Sequence, residues 1–344
     1  MSLPIIGKME KREQEIFNNV IGPFLPSKIV DFHAHIGLQE HFDKVTEHRK
    51  KENIGVAIAH HLPIRELFLV YEKLFKDKKV ETVVCPFPFR ECKAKEANTY
   101  VSETIRNYDD VEGFFLADPD ASEEEMEEWV SQGCFRGVKP YPDRVTGISW
   151  NDIKIYDYVS SSMMTVADRH DIPIFLHVPK DMRLADPETQ REIREIAAKH
   201  PNLKLVLAHI GRVHCPPKIK KGIDGVAHLQ NVYVETSLTT NPNVFKHAIN
   251  KFTPERIVFG TDLPASLLRC RIICDGPRRI WAVRERYPWV KEKDRKLYNE
   301  DVQSLLPLVY ENLLSFKKAI EELNLDKRDV EKIFYRNANQ LLGK

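Results

Sequence analysis

KIVDFHAH (residues 28–35) is an apolar run that stops on two histidines one residue apart. Side chains alternate across a strand, so His33 and His35 project to one face, Ala34 to the other, and both imidazoles can hold one ion. Three later runs end alike: IPIFLH (172–177) on His177, LKLVLAH (203–209) on His209 and RIVFGTD (256–262) on Asp262. Neutral imidazole and carboxylate are the donors zinc or a similar divalent ion takes, and a catalytic site needs about three of them plus an open position. The recurrence points to a metal-dependent enzyme.

Four more β-branched or aromatic runs, VETVVCPF (80–87), VEGFFLA (111–117), FRGVKP (135–140) and VYVETS (232–237), bring the expected strands to eight. Between them lie helix-like segments: PIRELFLVYEKLF (63–75), ANTYVSETIRNY (97–108), SEEEMEEWVSQG (122–133), IYDYVSSSMMTVADRH (155–170), PETQREIREIAAKH (187–200) and NPNVFKHAINKF (241–252). Several open on Pro, Ser or Asp and close near Gly, Asn or His, as helices do. Regular alternation of this kind, with near-continuous apolar strands, predicts an α/β fold, a (β/α)8 TIM barrel covered by helices. The strand C-termini of such a barrel share one mouth, so donors spread from residue 33 to 262 converge there.

Two segments fall outside the repeat. Residues 1–27 read as a helical extension, KMEKREQEIFNNV (8–20) followed by the breaker IGPFLP (21–26), packed on the barrel or on a second subunit. Residues 28–344 then form one barrel domain, interrupted after strand 8 by a long insertion over 265–310. Its Trp281, Tyr287 and Trp289 suit a lid or an interface element.

Composition narrows the function classes. The 344 residues are 42% hydrophobic, enough for a large core, and the net charge of +1 with scattered Lys and Arg leaves no footprint for nucleic acid. No stretch approaches the roughly 20 apolar residues of a membrane span. MSLPIIGKMEKREQEIF turns charged too soon for a signal peptide. A cytoplasmic protein with a small-molecule substrate is expected; the sequence does not fix the oligomeric state, and a homodimer is one possible form, dimers being common by base rate. The six cysteines include no CxxC pair, and a chain with a full core needs no staples, so free thiols are expected.

The HAH of strand 1, the lone histidines ending strands 5 and 6, FGTD of strand 8 and the closing VEKIFYRNANQLLG (330–343) resemble the amidohydrolase superfamily. More narrowly, residues 28–264 and about 329–343 resemble its amidohydrolase 2 branch of metal-dependent TIM-barrel hydrolases and decarboxylases. The resemblance implies one divalent metal, zinc first and manganese second, held by His33, His35, His177 and Asp262. It also implies His209 as a polarising or acid/base group and Glu235 as an acidic residue orienting a ligand from behind. Asp262 and His209 are the expected catalytic pair, Asp262 taking a proton from water and His209 stabilising the developing oxyanion or orienting that water.

Lys139, at the end of strand 4, has three readings: a carboxylated bridge to a second metal, a contact to substrate or water, or a structural ion pair. Lys180, Arg183 and Arg212 follow strands 5 and 6, and Tyr141 and Arg144 follow strand 4. If two or more face inward, a carboxylated or phosphorylated small molecule is favoured, and Lys139, Tyr141 and Arg212 are the substrate-binding candidates. His41, His48, His60 and His61 are expected to serve local hydrogen bonds, and His170, His200 and His247 sit near helix ends. The expected reaction is hydrolysis of a C–N or C–O bond of an amide, ester or lactone. Nonoxidative decarboxylation of a small carboxylic acid at the same site is the alternative, and a noncatalytic binding protein or metal sensor the second alternative.

Overall fold

Strand β1 (Lys28–Ile36) pairs in parallel with β2 (Lys79–Pro86), and β2 with β3 (Val111–Gly113). A six-stranded parallel sheet follows in chain order: β4 (Phe115–Ala117), β5 (Val138–Pro140), β6 (Ile174–Leu176), β7 (Leu205–Leu207), β8 (Val232–Glu235) and β9 (Ile257–Val258). These elements come from a computed structural model that describes residues 9–58, 61–132, 134–287, 289–295 and 302–344. Residues 1–8, Ala59, His60, Gly133 at the end of the expected helix over 122–133, residue 288 and residues 296–301 lie outside the described residues.

Backbone hydrogen bonds link the two sheets at both seams. Phe114 N donates to Val84 O (2.9 Å) and Arg136 N, just before β5, to Gly113 O of β3 (2.9 Å). On the other side Phe32 N donates to Phe259 O (2.9 Å), Asp262 N to His33 O (2.7 Å) and His35 N to Leu263 O (2.8 Å). The mixed α/β arrangement with parallel sheets is consistent with a barrel. The third expected strand is broken at Phe114, whose ring turns onto Phe32 and Phe175 (centroids 5.3 and 6.0 Å away) in the fully buried centre.

One detail of β1 decides where the histidines point. The register to β2 slips between Asp31 and Ala34, where Phe32 and His33 of β1 face Val83 alone of β2. Val30 and Phe32 belong to the inner cluster with Phe114 and Phe175, whereas Ala34 and Ile36 belong to the outer one with Ile29. The parity therefore changes at this bulge, and His33 and His35 both turn to the inside.

Helices occupy Ile64–Phe75, Ala94–Asn107, Glu123–Ser131, Ser161–Arg169, Pro187–Lys199 and Pro242–Phe252, close to the expected spans except the fourth, which starts at Ser161 rather than 155 because Ile155–Asp157 forms a separate 3-10 turn. Their starts are set by local chemistry: Ser122, Ser160, Asp186 and Asn241 accept from first-turn amides, and Pro187 and Pro242 fill positions that need no donor. None of the described helices is long and apolar enough to cross a membrane.

The N-terminal helix runs further than expected. After Lys11–Ile16 a π turn (Phe17–Ile21) and Gly22–Phe24 carry it through the first part of IGPFLP, so the break falls at Leu25. The widened turn admits Pro23 without a donor. Glu13, buried, pairs with Arg269 Nε at 2.6 Å, and Phe24 packs edge-on against Phe334. In the segment after β9, β10 (Cys270–Asp275) and β11 (Arg278–Val283) form an antiparallel hairpin. The expectation of six free thiols is corrected here: Cys274 on the hairpin is disulfide-bonded to Cys215, beyond β7, across a sequence separation of 59. No spacing rule reads such a pair, because only the folded hairpin brings the two Cα atoms to 5.6 Å. Cys85, Cys92, Cys134 and Cys270 are free.

Candidate metal centre

The bulge in β1 sets the imidazoles of His33 and His35 side by side, their Nε2 atoms 3.1 Å apart. Asp262 Oδ1 lies 3.4 Å from His33 Nε2 and 3.2 Å from His35 Nε2. Asp262 stands past the regular end of β9 in a left-handed conformation (φ 58°), fixed by its amide bond to His33 O. His209 does not end a strand: β7 stops at Leu207, and His209 to Arg212 form a left-handed turn. Such backbone costs of the order of 1 kcal/mol per non-glycine residue and gathers at functional sites. At Gly211, within that turn, an added Cβ would lie 2.5 Å from Leu184 Cδ2.

The second nitrogen of each of these three histidines meets an acceptor. His33 Nδ1 lies 3.1 Å from Glu235 Oε2, His35 Nδ1 lies 3.0 Å from Pro86 O, and His209 Nδ1 lies 2.8 Å from Ser237 Oγ. The Ser237 hydroxyl in turn donates to Glu235 Oε2 at 2.9 Å. These acceptors assign the N–H to Nδ1 in the neutral rings and leave each Nε2 lone pair facing inward. His209 Nε2 is 3.9 Å from Asp262 Oδ2. Imidazole lone pairs beside a carboxylate, each backed by an acceptor, fit one borderline divalent cation.

Electrostatics agree with that donor set. Burial pushes His33 and His177 well below the usual histidine value and His209 down to about 4, so these rings are neutral. Burial raises Asp262, but His33, His35 and His209 outweigh it and hold the carboxyl well below the usual range. For His35, burial favours the neutral ring, yet Cys85 and Asp262 hold its pKa up to about 10. The proton it keeps sits among donors that a cation competes for. Glu235, fully buried, is pushed up by burial and accepts from His33, the His209 amide (3.1 Å) and Ser237.

His177, just past β6, faces the same cavity, its ring 4.6 Å from Tyr141 and 5.2 Å from His209. It stands outside the two tight groups of donors, His33 with His35 and Asp262, and His33 with His209 and Glu235. Lys139 is fully buried and does not line the cavity; its Nζ lies 3.6 Å from the Phe175 ring centroid with no hydrogen-bond partner. Tyr141, Arg183 and Arg212 do line the cavity of about 580 Å³ together with His33, His35 and Asp262. Lys180 and Arg144 are engaged elsewhere, Lys180 with Asp186 and Glu188, Arg144 with Asp118 and Phe89 O. His41, His48 and His61 make local hydrogen bonds or ion pairs, as do His170 and His247.

Several residues at the site escaped the sequence reading. Asp31 accepts from the His33 amide (3.1 Å), the Thr261 amide (2.8 Å) and hydroxyl (2.5 Å), and Tyr71 OH (2.7 Å), so it ties β1 to the segment carrying Asp262. A charged residue inside the apolar IVDF is the signal that marks it. Ser237 lies two residues after Glu235, in the turn that follows β8. His214 and Arg279 also line the cavity, and no motif in the post-β9 segment announces Arg279; Trp281, expected in a lid or interface element, lines it as well.

Known structures share this architecture at low identity. An amidohydrolase from Burkholderia multivorans with bound zinc is 13% identical, with a TM-score of 0.56 over 92% of this chain and 99% of that chain. A structure from Acinetobacter baumannii named a probable 2-pyrone-4,6-dicarboxylic acid hydrolase, with citric acid bound, is 14% identical, with a TM-score of 0.54 over 92% and 99%. A dihydroxybenzoic acid decarboxylase from Polaromonas sp. JS666, with manganese and 2-nitroresorcinol, is 16% identical, with a TM-score of 0.53 over 92% and 97%. No curated protein sequence matches the chain. The family model described as amidohydrolase, of the amidohydrolase 2 kind, matches residues 30–344, and the chain belongs to that family.

Proposed function

We propose that the chain is a metal-dependent hydrolase that uses water to cleave a C–N or C–O bond of a small anionic molecule. In this reading residues 28–344 form a closed (β/α)8 barrel, with residues 1–27 as an extension and 265–310 as an insertion. The observation that carries it is the meeting of His33 Nε2, His35 Nε2 and Asp262 Oδ1 within 3.4 Å of one another at the cavity wall. Those three residues would hold one zinc or manganese ion, with His209 Nε2 beside them and His177 across the cavity. When bound, the ion supplies Lewis acidity and a water whose pKa falls to about 7. A second metal would require carboxylation of the buried, unpartnered Lys139 amine.

The chain's own groups do the rest. Asp262, held ionised, accepts a proton at Oδ2, and His209 Nε2 at 3.9 Å is placed to receive it or return it to the leaving group. Glu235 fixes the His33 ring and the His209 backbone. Burial pushes the Tyr141 hydroxyl up, so it remains a donor toward substrate, and Arg212 supplies fixed positive charge. Decarboxylation is a second reading, supported by the same donors beside a cationic wall suited to a carboxylic acid.

Purified protein should cleave members of a panel of aryl esters, lactones and anilides, with activity lost to a chelator and restored by Zn²⁺ or Mn²⁺. Asp262→Asn should lower the rate by about 10²-fold or more. CO₂ release from aromatic carboxylic acids without any hydrolysis would replace this reading by the second.

A further inference from the structure

One wall of the cavity is cationic and largely without counter-charge. Arg183 comes from the segment after β6, Arg212 and His214 from the left-handed turn after β7 and its continuation, and Arg279 from the hairpin. Arg183 Nη1 and His214 Nδ1 are buried and have no hydrogen-bond partner. Arg212 Nη1 donates to Val178 O at 2.9 Å while its guanidinium lies 5.6 Å from the Trp150 ring centroid. The Arg279 guanidinium stands 5.1 Å from the centre of the Trp281 ring. Asp143 and Asp181 also line the cavity: Asp143 is taken by Arg49 at 2.6 Å, and the exposed Asp181 carboxylate, which accepts from Asn151, offsets part of the positive charge of Arg183, Arg212 and Arg279.

Such a group is unfavourable as it stands. Buried donors without acceptors are destabilising, and neighbouring cations repel. Burial, followed by the other cations, pushes Arg183 well below the usual arginine value and Arg279 down to about 9. Arg183 (φ 58°) and Arg212 (φ 64°) are also held in left-handed backbone, which persists where surrounding structure enforces it. The hairpin carrying Arg279 is fastened beside His214: Cys274 is bonded to Cys215, and Thr240 Oγ1 exchanges hydrogen bonds of 3.0 Å with Ile272 O and N.

We propose that Arg183, Arg212, Arg279 and His214 form a prebuilt pocket for an anionic group of the substrate, a carboxylate or a phosphate, on the wall of the cavity that holds His33, His35 and Asp262. Arginine forks match either group bidentately, and the unpartnered His214 adds a further hydrogen-bonding position. The hairpin is thus a specificity element, contributing Arg279 from outside the strand repeat. This inference rests on the proposed reading of the cavity as a substrate site.

The test is calorimetric titration of the full, metal-loaded chain with inorganic phosphate and, separately, succinate, at low ionic strength. Metal per chain is measured on each sample. At least one anion should bind the wild type, and Arg279→Gln and Arg183→Gln, on different elements, should each weaken it about tenfold or more with metal content unchanged. Binding of phosphate alone assigns a phosphate ester, binding of succinate alone a carboxylate, and binding of both a shared anion pocket; each supports the proposal. No binding of either anion, or binding that survives both substitutions and so belongs to the metal, overturns it. A wild type that binds anion but never metal would instead overturn the metal reading and leave this pocket standing.

Discussion

At the residue scale the site is a set of imidazoles aimed by acceptors behind them, neutral at His33 and His209 and protonated at His35. Glu235 carries the largest share, since it takes the His33 Nδ1 proton, the His209 amide and the Ser237 hydroxyl. Glu235→Gln should therefore lower metal affinity about 10–100-fold, read by competition with a chromophoric chelator, while an unchanged affinity would remove Glu235 from that role. Gly260 is equally constrained: an added Cβ would lie 2.5 Å from Glu235 Oε1 and 2.8 Å from His33 Cβ. Gly260→Ala should destabilise the fold by about 1–3 kcal/mol, measured by the urea midpoint. His33, His35 and Asp262 were legible because strand alternation and run-ending donors are local patterns. The orphaned donors of Arg183 and His214 were not, because whether a polar atom finds a partner depends on segments far apart in sequence.

At the element scale, the helices and strands came through in order because periodicity and caps are local. The bulge in β1 did not, since it is defined by β2, and the hairpin was hidden in a segment without alternation clear enough to separate two strands. Asp186 shows how a cap holds the loop that carries Arg183. Its carboxylate accepts from the Thr189 amide at 3.0 Å and pairs with Lys180 at 3.4 Å. Burial raises its pKa, but the Thr189 amide and Lys180 outweigh this and hold it below the ordinary 3.8. The native state thus binds fewer protons than the unfolded chain near that pH, so the stabilisation is complete above 3.8 and is lost as pH falls through the depressed value. Asp186→Ala should cost about 1 kcal/mol at pH 7, and the difference from wild type in urea unfolding should shrink toward zero in strong acid. A pH-independent difference would contradict the capping account.

At the scale of the whole molecule, His33, His35, His209 and Asp262 meet at one cavity wall although they are far apart in sequence, and an ion bound there would tie those segments together. Removing it should lower the melting temperature, and readdition should restore it. At free metal 100 times the dissociation constant, the stabilisation amounts to about 2.7 kcal/mol. An identical melting temperature with and without chelator would argue against a structural contribution from the centre. The family was legible in the sequence because its motifs are local; the substrate was not, because the cavity wall is built partly by the hairpin after β9, which those motifs do not cover. The most direct test of the account is metal per chain by elemental analysis, on wild type purified without chelators and on the variant His33→Ala with His35→Ala. The account predicts close to one equivalent of zinc or manganese in the wild type and essentially none in the variant, with the circular dichroism of both alike. Full metal content in the variant, or none in the wild type after reconstitution, would contradict it.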